Sequence, residues 1–378
     1  MIQIKCFNLN REERKMKKIL FSAYSLEIGG IETALVTLLN SLINKYNITL
    51  VLEKKQGDFL KDIDKRIEII TYTPSTNKNT VLRKTLNVCK RMFFSLRYKN
   101  KYDFAVSFAT YSRPGSFVAR TAAKNNALWV HSDYLATYQG NIEEAKRFFQ
   151  SVNYNKFKTI VCISERAKQS FLTIFPEIKK EGFIQVIAIN NMIDAGSIEE
   201  KAKEGIPLKK QEVTTFLHVG RHDEFSKKIT RLIEAAKMLK EDGEKFKILL
   251  IGEGPNTKEY KNIVKKYDLE NNIIFCGMQK NPYPYFNISD ALILTSEFEG
   301  FPIVFNEARV LNLPIITTDV SDSKKDIEGK YGIVVEKDPH SIYMAMKKFI
   351  ESGYQIQKKF DVQEFNKNIE NQIERLID

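Results

Sequence analysis

Residues 195–212 read AGSIEEKAKEGIPLKKQE, a polar and charged stretch, and the apolar run TTFLHVG follows at residues 214–220. On either side of this stretch, runs rich in Val, Ile and Phe alternate with segments of helical period, the pattern of strands joined by crossover helices in a parallel sheet. Upstream strands are expected in KKILFSA, NITLVLE, RIEIITY, YDFAVSF, NALWVHS, KTIVCIS and GFIQVIAINN, and downstream strands in TTFLHVG, KFKILLIG, NIIFCG, ALILTS, PIITTD and YGIVVE. Residues 195–212 are therefore read as the linker between two αβ domains in tandem. A length of 378 residues agrees, because it exceeds one ordinary core and accommodates two domains of about 150–200 residues each. The tail VQEFNKNIENQIERLI places Val362, Phe365, Ile369, Ile373 and Leu376 on one face of a last amphipathic helix.

Apolar residues make up 43% of the chain and charged residues 28%, with no low-complexity tract, which excludes a disordered or fibrous protein. The opening MIQIKCFNLNREERKMKK lacks the apolar segment and small-residue cleavage site of a signal peptide, and a clean strand pattern begins only at Met16. Residues 1–15 are expected to be an extension, or a misassigned start, outside the fold, and the protein is expected in the cytoplasm. Cys6, Cys89, Cys162 and Cys276 are scattered without paired spacing, which fits a reducing compartment and indicates neither a disulfide framework nor a zinc site.

The net charge of +12 is unevenly divided: residues 1–191 carry 31 Lys/Arg against 16 Asp/Glu, and the remainder 28 against 31. Residues 78–101 hold eight basic residues and no acid. Within them Leu82, Leu86, Cys89, Phe93 and Leu96 recur at four-three spacing, flanked by Arg83, Lys84, Lys90, Arg91 and Arg97, which predicts an amphipathic basic helix. Two roles fit it: a core-facing helix with a solvated charged face, or one resting on an anionic membrane surface. Nucleic acid has only charge in its favour, because no helix-turn-helix, zinc-finger or RNA-binding pattern accompanies it.

Ligands of open αβ sheets bind beyond the carboxyl ends of the strands, where loops enter helix N-termini. In SAYSLEIGGIETALVTLL, Gly29 and Gly30 precede a helix, where bare backbone can approach an anion or simply turn. HVGRHDEFSKKITRL sets Arg221 and Lys227 six residues apart, a planar donor fork and a mobile point charge that suit a diphosphate or bulk solvent. LLIGEGPNTKEY carries Gly252, Glu253 and Gly254 without the last glycine of a dinucleotide fingerprint, which disfavours a nicotinamide cofactor.

The fourth loop, EFEGFPIVFNEA at residues 297–308, places Glu299 before a helix and Glu307 in its second turn, with Pro302 at the first helical position. The amides of Ile303 and Val304 are then free for phosphate oxygens. Carboxylates repel phosphate but accept hydroxyl groups, so two acids around free amides suit a nucleotide sugar, with hydroxyls at both ends and phosphates in the middle. Helix-end electrostatics, worth about 0.3–1 kcal/mol, account for Glu299 but not for the full cluster. His131 in WVHSD ends a strand at the expected cleft.

Together, GRHDEFSKK, GEGP at residues 252–255 and EGFPIVFNEA resemble the retaining GT-B glycosyltransferases of glycosyltransferase family 4, also called glycosyl transferases group 1, over nearly the whole chain from Met16. The resemblance implies an α/β GT-B fold of two Rossmann-like domains facing across a cleft. Residues 16–191 would form the acceptor domain, 192–354 the nucleotide-sugar-binding domain, and 355–378 a C-terminal helix crossing back to the first. It implies that Glu307 binds the ribose hydroxyls and Glu299 the donor sugar, while Arg221, Lys227 and the backbone of Gly300, Phe301, Pro302, Ile303 and Val304 hold the diphosphate. Gly30 would lie under the donor phosphate, Gly252, Glu253 and Gly254 beside the donor, Gly277 and Met278 at the nucleobase, and His131 against the transferred sugar.

Catalysis would then rest on His131, Glu299, Arg221 and Lys227, with cations and helix dipoles stabilising the leaving diphosphate without a metal or cofactor. The implied reaction moves a hexose or N-acetylhexosamine from a UDP-linked donor to a lipid-linked saccharide acceptor, with retention, in capsule, O-antigen or teichoic-acid assembly. Two positions depart from the family pattern: Met192 stands where proline is usual in the 191–194 element, and Pro302 where glycine often follows Glu-Gly-Phe.

Three rival readings remain beside this one. The two glutamates would also suit a glycosidase acid/base pair. Asp62-Ile63-Asp64 mimics a metal-binding motif of another transferase fold but is read as a turn. A catalytically silent partner that binds a nucleotide sugar or a membrane and scaffolds an assembly would carry the same charge pattern.

Overall fold

The computed structural model describes residues 16–378, so residues 1–15 and the expectation placed on them lie outside the described residues. Strands β1 (Lys18–Ala23), β2 (Asn47–Leu52), β3 (Glu68–Thr71), β4 (Phe104–Ser107), β5 (Asn126–Val130), β6 (Thr159–Cys162) and β7 (Gln185–Ala188) form one sheet, ordered β3-β2-β1-β4-β5-β6-β7. Strands β8 (Thr214–Val219), β9 (Phe246–Ile251), β10 (Ile273–Gly277), β11 (Ala291–Leu294), β12 (Ile315–Thr318) and β13 (Gly332–Val335) form the second, ordered β10-β9-β8-β11-β12-β13. Every pairing between these strands is parallel. The strands are continuous apolar runs because helices cover both faces: Ile19 and Phe21 of β1 enter one core, and Leu20 between them enters the other. In each sheet the strand order reverses beside the first strand, between β1 and β4 and between β8 and β11, and crevices open at such reversals.

The last helix, Val362–Ile377, closes the first core and not the second, burying Ile369, Ile373, Leu376 and Ile377 beside Ile48 and Leu50 of β2. Lys45 reinforces it with ion pairs to Glu370 at 2.7 Å and Glu374 at 2.5 Å. The segment leading into that helix and its first turn grip the second domain: the Arg309 guanidinium lies 4.1 Å from the Phe360 ring centre and 5.5 Å from that of Phe365.

Four sequence expectations change or are settled. Residues 195–212 are not all linker, because Asp194 caps a helix at Ala195–Lys201, and Ile198 is buried with Ile193 and Val310. Pro302 is the residue before the helix Ile303–Val310 rather than its first residue. The helix Thr80–Tyr98 does form, but its apolar stripe does not face the core: Phe94 is its buried residue, while Leu82, Leu86, Phe93 and Leu96 are exposed. Asp62-Ile63-Asp64, read as a turn, instead ends the 3-10 helix Asp58–Asp62 and continues as extended chain at Ile63, which is buried, with Asp64 paired with Arg66 at 2.7 Å.

The domains touch directly. Asp322 of the second accepts the backbone amides of Glu165 at 2.8 Å and Arg166 at 3.0 Å, the first residues of the helix Glu165–Ile174 in the first domain. Arg166 adds an ion pair with Asp319 at 3.2 Å.

Candidate active site

The loops after β8 and β11 flank the reversal point of the second sheet, so their residues meet although about seventy positions separate them. Lys227 Nζ lies 2.5 Å from Glu299 Oε1, which also accepts the Ser296 hydroxyl at 2.7 Å. The Lys227 stem passes over Gly220, where an added Cβ would lie 3.5 Å from its Cε. Beneath the same glycine sits His218, fully buried, with Nδ1 3.0 Å from the Ile293 carbonyl and no partner on Nε2. Burial first, and then the Lys227 charge, push its pKa down to about 3, so the ring is neutral packing under a cationic side chain.

Arg221 does not join this pair. It is 71% exposed and holds Asp223 at 2.8 Å, while Asp223 also accepts the Ser226 hydroxyl and the Phe225 amide. Lys227 is thus pre-positioned by the scaffold, and Arg221 is an exposed group at the rim, held by Asp223.

Past Glu299 the chain turns into the helix Ile303–Val310. Among the described residues, the Ile303 and Val304 amides have no protein acceptor; the first engaged is Phe305 N, on Pro302 O at 3.0 Å. Two bare donors at the positive end of a helix form an anion seat. Glu307 lies behind them, buried, accepting the Tyr283 hydroxyl at 3.1 Å. Burial raises its pKa to about 7, opposed by that hydrogen bond, so near neutral pH the group can take up or release a proton.

The first domain closes the other side. An added Cβ on Gly30, first residue of the helix Gly30–Leu42, would lie 3.3 Å from Ile303 Cδ1, so the positive ends of two helices from different domains face one crevice. A Cβ on Gly300 would overlap the His131 carbonyl, which brings the β5 end against the loop of Glu299. The His131 ring packs on Phe108 at 4.5 Å between centres, with Nε2 sealed and unpartnered. Burial lowers its pKa to about 4, so it is a neutral hydrogen-bonding group at ordinary pH, not a cation.

Several expected donor contacts have other employment. The Phe301 side chain is buried in the first-domain core with Phe108, Trp129 and Ile163, anchoring its loop across the cleft. Gly252, at φ +128°, and Gly254 allow close packing, since a Cβ on either would overlap Gly220 O or His222 O. Glu253 is exposed, with Oε1 3.6 Å from where a Gly277 Cβ would lie, and Met278 beside them is 62% exposed at the rim. Of the basic helix residues, Lys90 donates to Thr73 O at 2.8 Å, Arg91 and Arg97 lie over Phe117 and Tyr98, and Arg83 and Lys84 are exposed, all away from this crevice. Sequence reading missed Tyr283, Ser296, Asp223 and His218. The signal for His218 was its place at the end of β8, but nothing local marks Tyr283, which reaches Glu307 only through the fold. Among the described residues no group of three or more His, Cys, Asp or Glu is placed to hold a metal ion.

Two Rossmann-like sheets, a crevice between them and paired helix N-termini at its floor define a GT-B architecture. Residues 198–371 match the family model for glycosyl transferases group 1. It is 26% identical over 348 residues to the N-acetylgalactosamine-N,N'-diacetylbacillosaminyl-diphospho-undecaprenol 4-alpha-N-acetylgalactosaminyltransferase of Campylobacter jejuni, covering 89% of this chain and 91% of that one. A capsular polysaccharide biosynthesis glycosyltransferase, CapM of Staphylococcus aureus, is 26% identical over 193 residues, 47% of this chain and 48% of its own. The fold is shared with Anabaena Alr3699/HepE in complex with UDP and glucose, at TM-score 0.74 and 17% identity over 95% of this chain and 99% of that one.

Proposed function

We propose that the chain transfers a hexose or N-acetylhexosamine from a UDP-linked donor to a lipid-linked saccharide, with retention of anomeric configuration and without a metal. One observation carries this reading: Lys227 and Glu299 stand at 2.5 Å beside the bare amides of Ile303 and Val304, with Glu307 buried one turn behind. In this reading the diphosphate displaces Glu299 from Lys227 and takes the amides, Glu299 turns to the sugar hydroxyls, and Glu307 accepts those of the ribose. As the glycosidic bond breaks, charge grows on the leaving UDP, where Lys227, two helix ends and a swung-in Arg221 stabilise it; each 1.36 kcal/mol is about tenfold in rate. The acceptor hydroxyl attacks from the face that UDP leaves, with neutral His131 positioning the transferred sugar. The undecaprenol-linked substrate named for the Campylobacter relative supports the acceptor class, and the UDP complex of the HepE fold supports the donor.

The test is a screen of UDP-, GDP- and ADP-sugars for hydrolysis and for transfer to polyprenyl-diphosphate saccharides, with EDTA present. UDP release for one sugar, lost in Lys227→Ala and Glu307→Ala, is the expected result. Turnover of a free oligosaccharide without a nucleotide sugar would replace this reading with the glycosidase one.

A further inference from the structure

The helix Thr80–Tyr98 is built the wrong way round for a protein in water. At about 100° per residue, one side turns Asn87, Phe94 and Tyr98 towards the domain, where Asn87 Oδ1 accepts Ser75 N at 2.7 Å and the Phe94 ring meets Tyr72 at 5.2 Å. The opposite side carries Leu82, Met92, Phe93 and Leu96, of which Phe93 is 65% and Leu96 78% exposed. Arg83, Lys90 and Arg97 border this apolar band on one edge and Lys84 and Arg91 on the other, and residues 78–101 contain no acid. The terminal helix Val362–Ile377, equally amphipathic, shows the ordinary arrangement, with its apolar face in the core.

An apolar band between two rows of cations matches the boundary between lipid headgroups and acyl chains, where rings and aliphatic groups sink in and long basic side chains reach back to phosphates. A second copy of the chain would set cation rows against each other, so the charge selects an anionic partner. No helix of the described residues is long and apolar enough to cross a membrane, which leaves lying along it. We propose that this helix seats the protein in the surface of an anionic bilayer, with Met92, Phe93 and Leu96 immersed. The helix starts at the carboxyl end of the first sheet and runs back to its amino end, where Arg97 and Tyr98 lie beside Lys18 and Asn47, so the seated face is the flank of the first domain. The proposal names the partner of the transferase reading and rests on that reading for its purpose; its geometry is independent.

Flotation with phosphatidylcholine vesicles and with vesicles containing phosphatidylglycerol tests it, alongside a Phe93→Trp variant read by quenching from brominated acyl chains. The native Trp129 is buried and supplies a constant background. Expected are at least tenfold stronger flotation on anionic vesicles, quenching of the new tryptophan, and tenfold or greater loss of flotation in Met92→Glu/Leu96→Glu, whose exposed positions leave the melting profile and vesicle-free donor hydrolysis unchanged. Undiminished flotation of that double variant, or flotation without quenching, would overturn seating by this face. So would a wild-type dimer that the double variant dissociates, because the face would then be covered by a second copy. Flotation with no turnover of any nucleotide sugar would support the seating while overturning the transferase reading; turnover of a lipid-linked acceptor without flotation would do the reverse.

Discussion

Lys227 Nζ and Glu299 Oε1 stand 2.5 Å apart in a partly buried ion pair, and both lie on the loops that flank the strand-order reversal of the second sheet. In the function proposed above, the pair stands where the diphosphate and sugar would bind, so each charge keeps a partner until the donor arrives. A stranded charge in such a setting is costly, which makes an exchange of partners cheaper than their separation.

Lys227→Ala is expected to lower donor-dependent turnover on the order of 10²–10³-fold, the scale of losing one preorganised stabiliser of developing charge. Arg221→Ala, at an exposed group held only by Asp223, should cost less and mainly raise KM. UDP release measured over a donor titration checks both, with thermal melting as the control for folding. Near-normal turnover in Lys227→Ala would reject the site.

Glu307 gives a pH signature with a definite sign. Its folded pKa is about 7, whereas a free glutamate sits near about 4.3. Between those values the folded chain binds more protons than the unfolded chain. The contribution of this group to stability therefore falls as pH rises from about 4.3 to about 7, then levels off, by on the order of 3 kcal/mol. Melting of Glu307→Gln against wild type across pH 4.5–8 (roughly the titration window) should show that slope removed. Tyr283→Phe deletes the bond that favours the carboxylate, so its midpoint should move upward. Donor hydroxyls also favour the carboxylate, so donor affinity by calorimetry should weaken as pH drops below about 7 in wild type and lose that dependence in Glu307→Gln.

Gly300→Ala places a methyl group onto the His131 carbonyl, backbone against backbone from opposite domains. The methyl would also lie 2.9 Å from Ile163 Cδ1 at the edge of the first core, a side-chain end that can shift, so both domains should still fold while the crevice is wedged open. Turnover is expected to fall at least tenfold, with a larger radius of gyration by small-angle scattering and little change in melting temperature. An unchanged radius would show that the loop yields instead of the domains.

Asp322→Ala removes the carboxylate that accepts the amides of Glu165 and Arg166 across the domain boundary. Losing a helix cap of this kind costs about 0.5–2 kcal/mol. The loss should appear as faster hydrogen exchange at the start of the helix Glu165–Ile174, and Asp322→Asn should restore part of it.

How far the chain could be read without its structure follows from the range of the forces involved. Strands buried on both faces are continuous apolar runs, so all thirteen were legible, as were the loops at their carboxyl ends. Lys227, Glu299 and Glu307 were legible because charge beside a helix start is a local pattern. The burial of the Phe301 ring could not be read locally, because the core that covers it belongs to the other domain. Tyr283 was invisible because its partner Glu307 lies twenty-four residues away on another element. The Thr80–Tyr98 helix was legible in period, while its direction stayed open between two readings, since spacing defines a face without saying which way it points.

The tail helix has a consequence in time as well as in space. Ile369, Ile373, Leu376 and Ile377 belong to the same core as β1 and β2, so the domain translated first lacks part of its interior until the helix Val362–Ile377 has been made. The second domain, built on strands from Thr214 to Val335, needs no such wait. On the ribosome the later domain can be finished before the earlier one, leaving the face of β2 uncovered for the length of synthesis. Truncation by even one helical turn at the carboxyl end would therefore harm the opposite end of the chain.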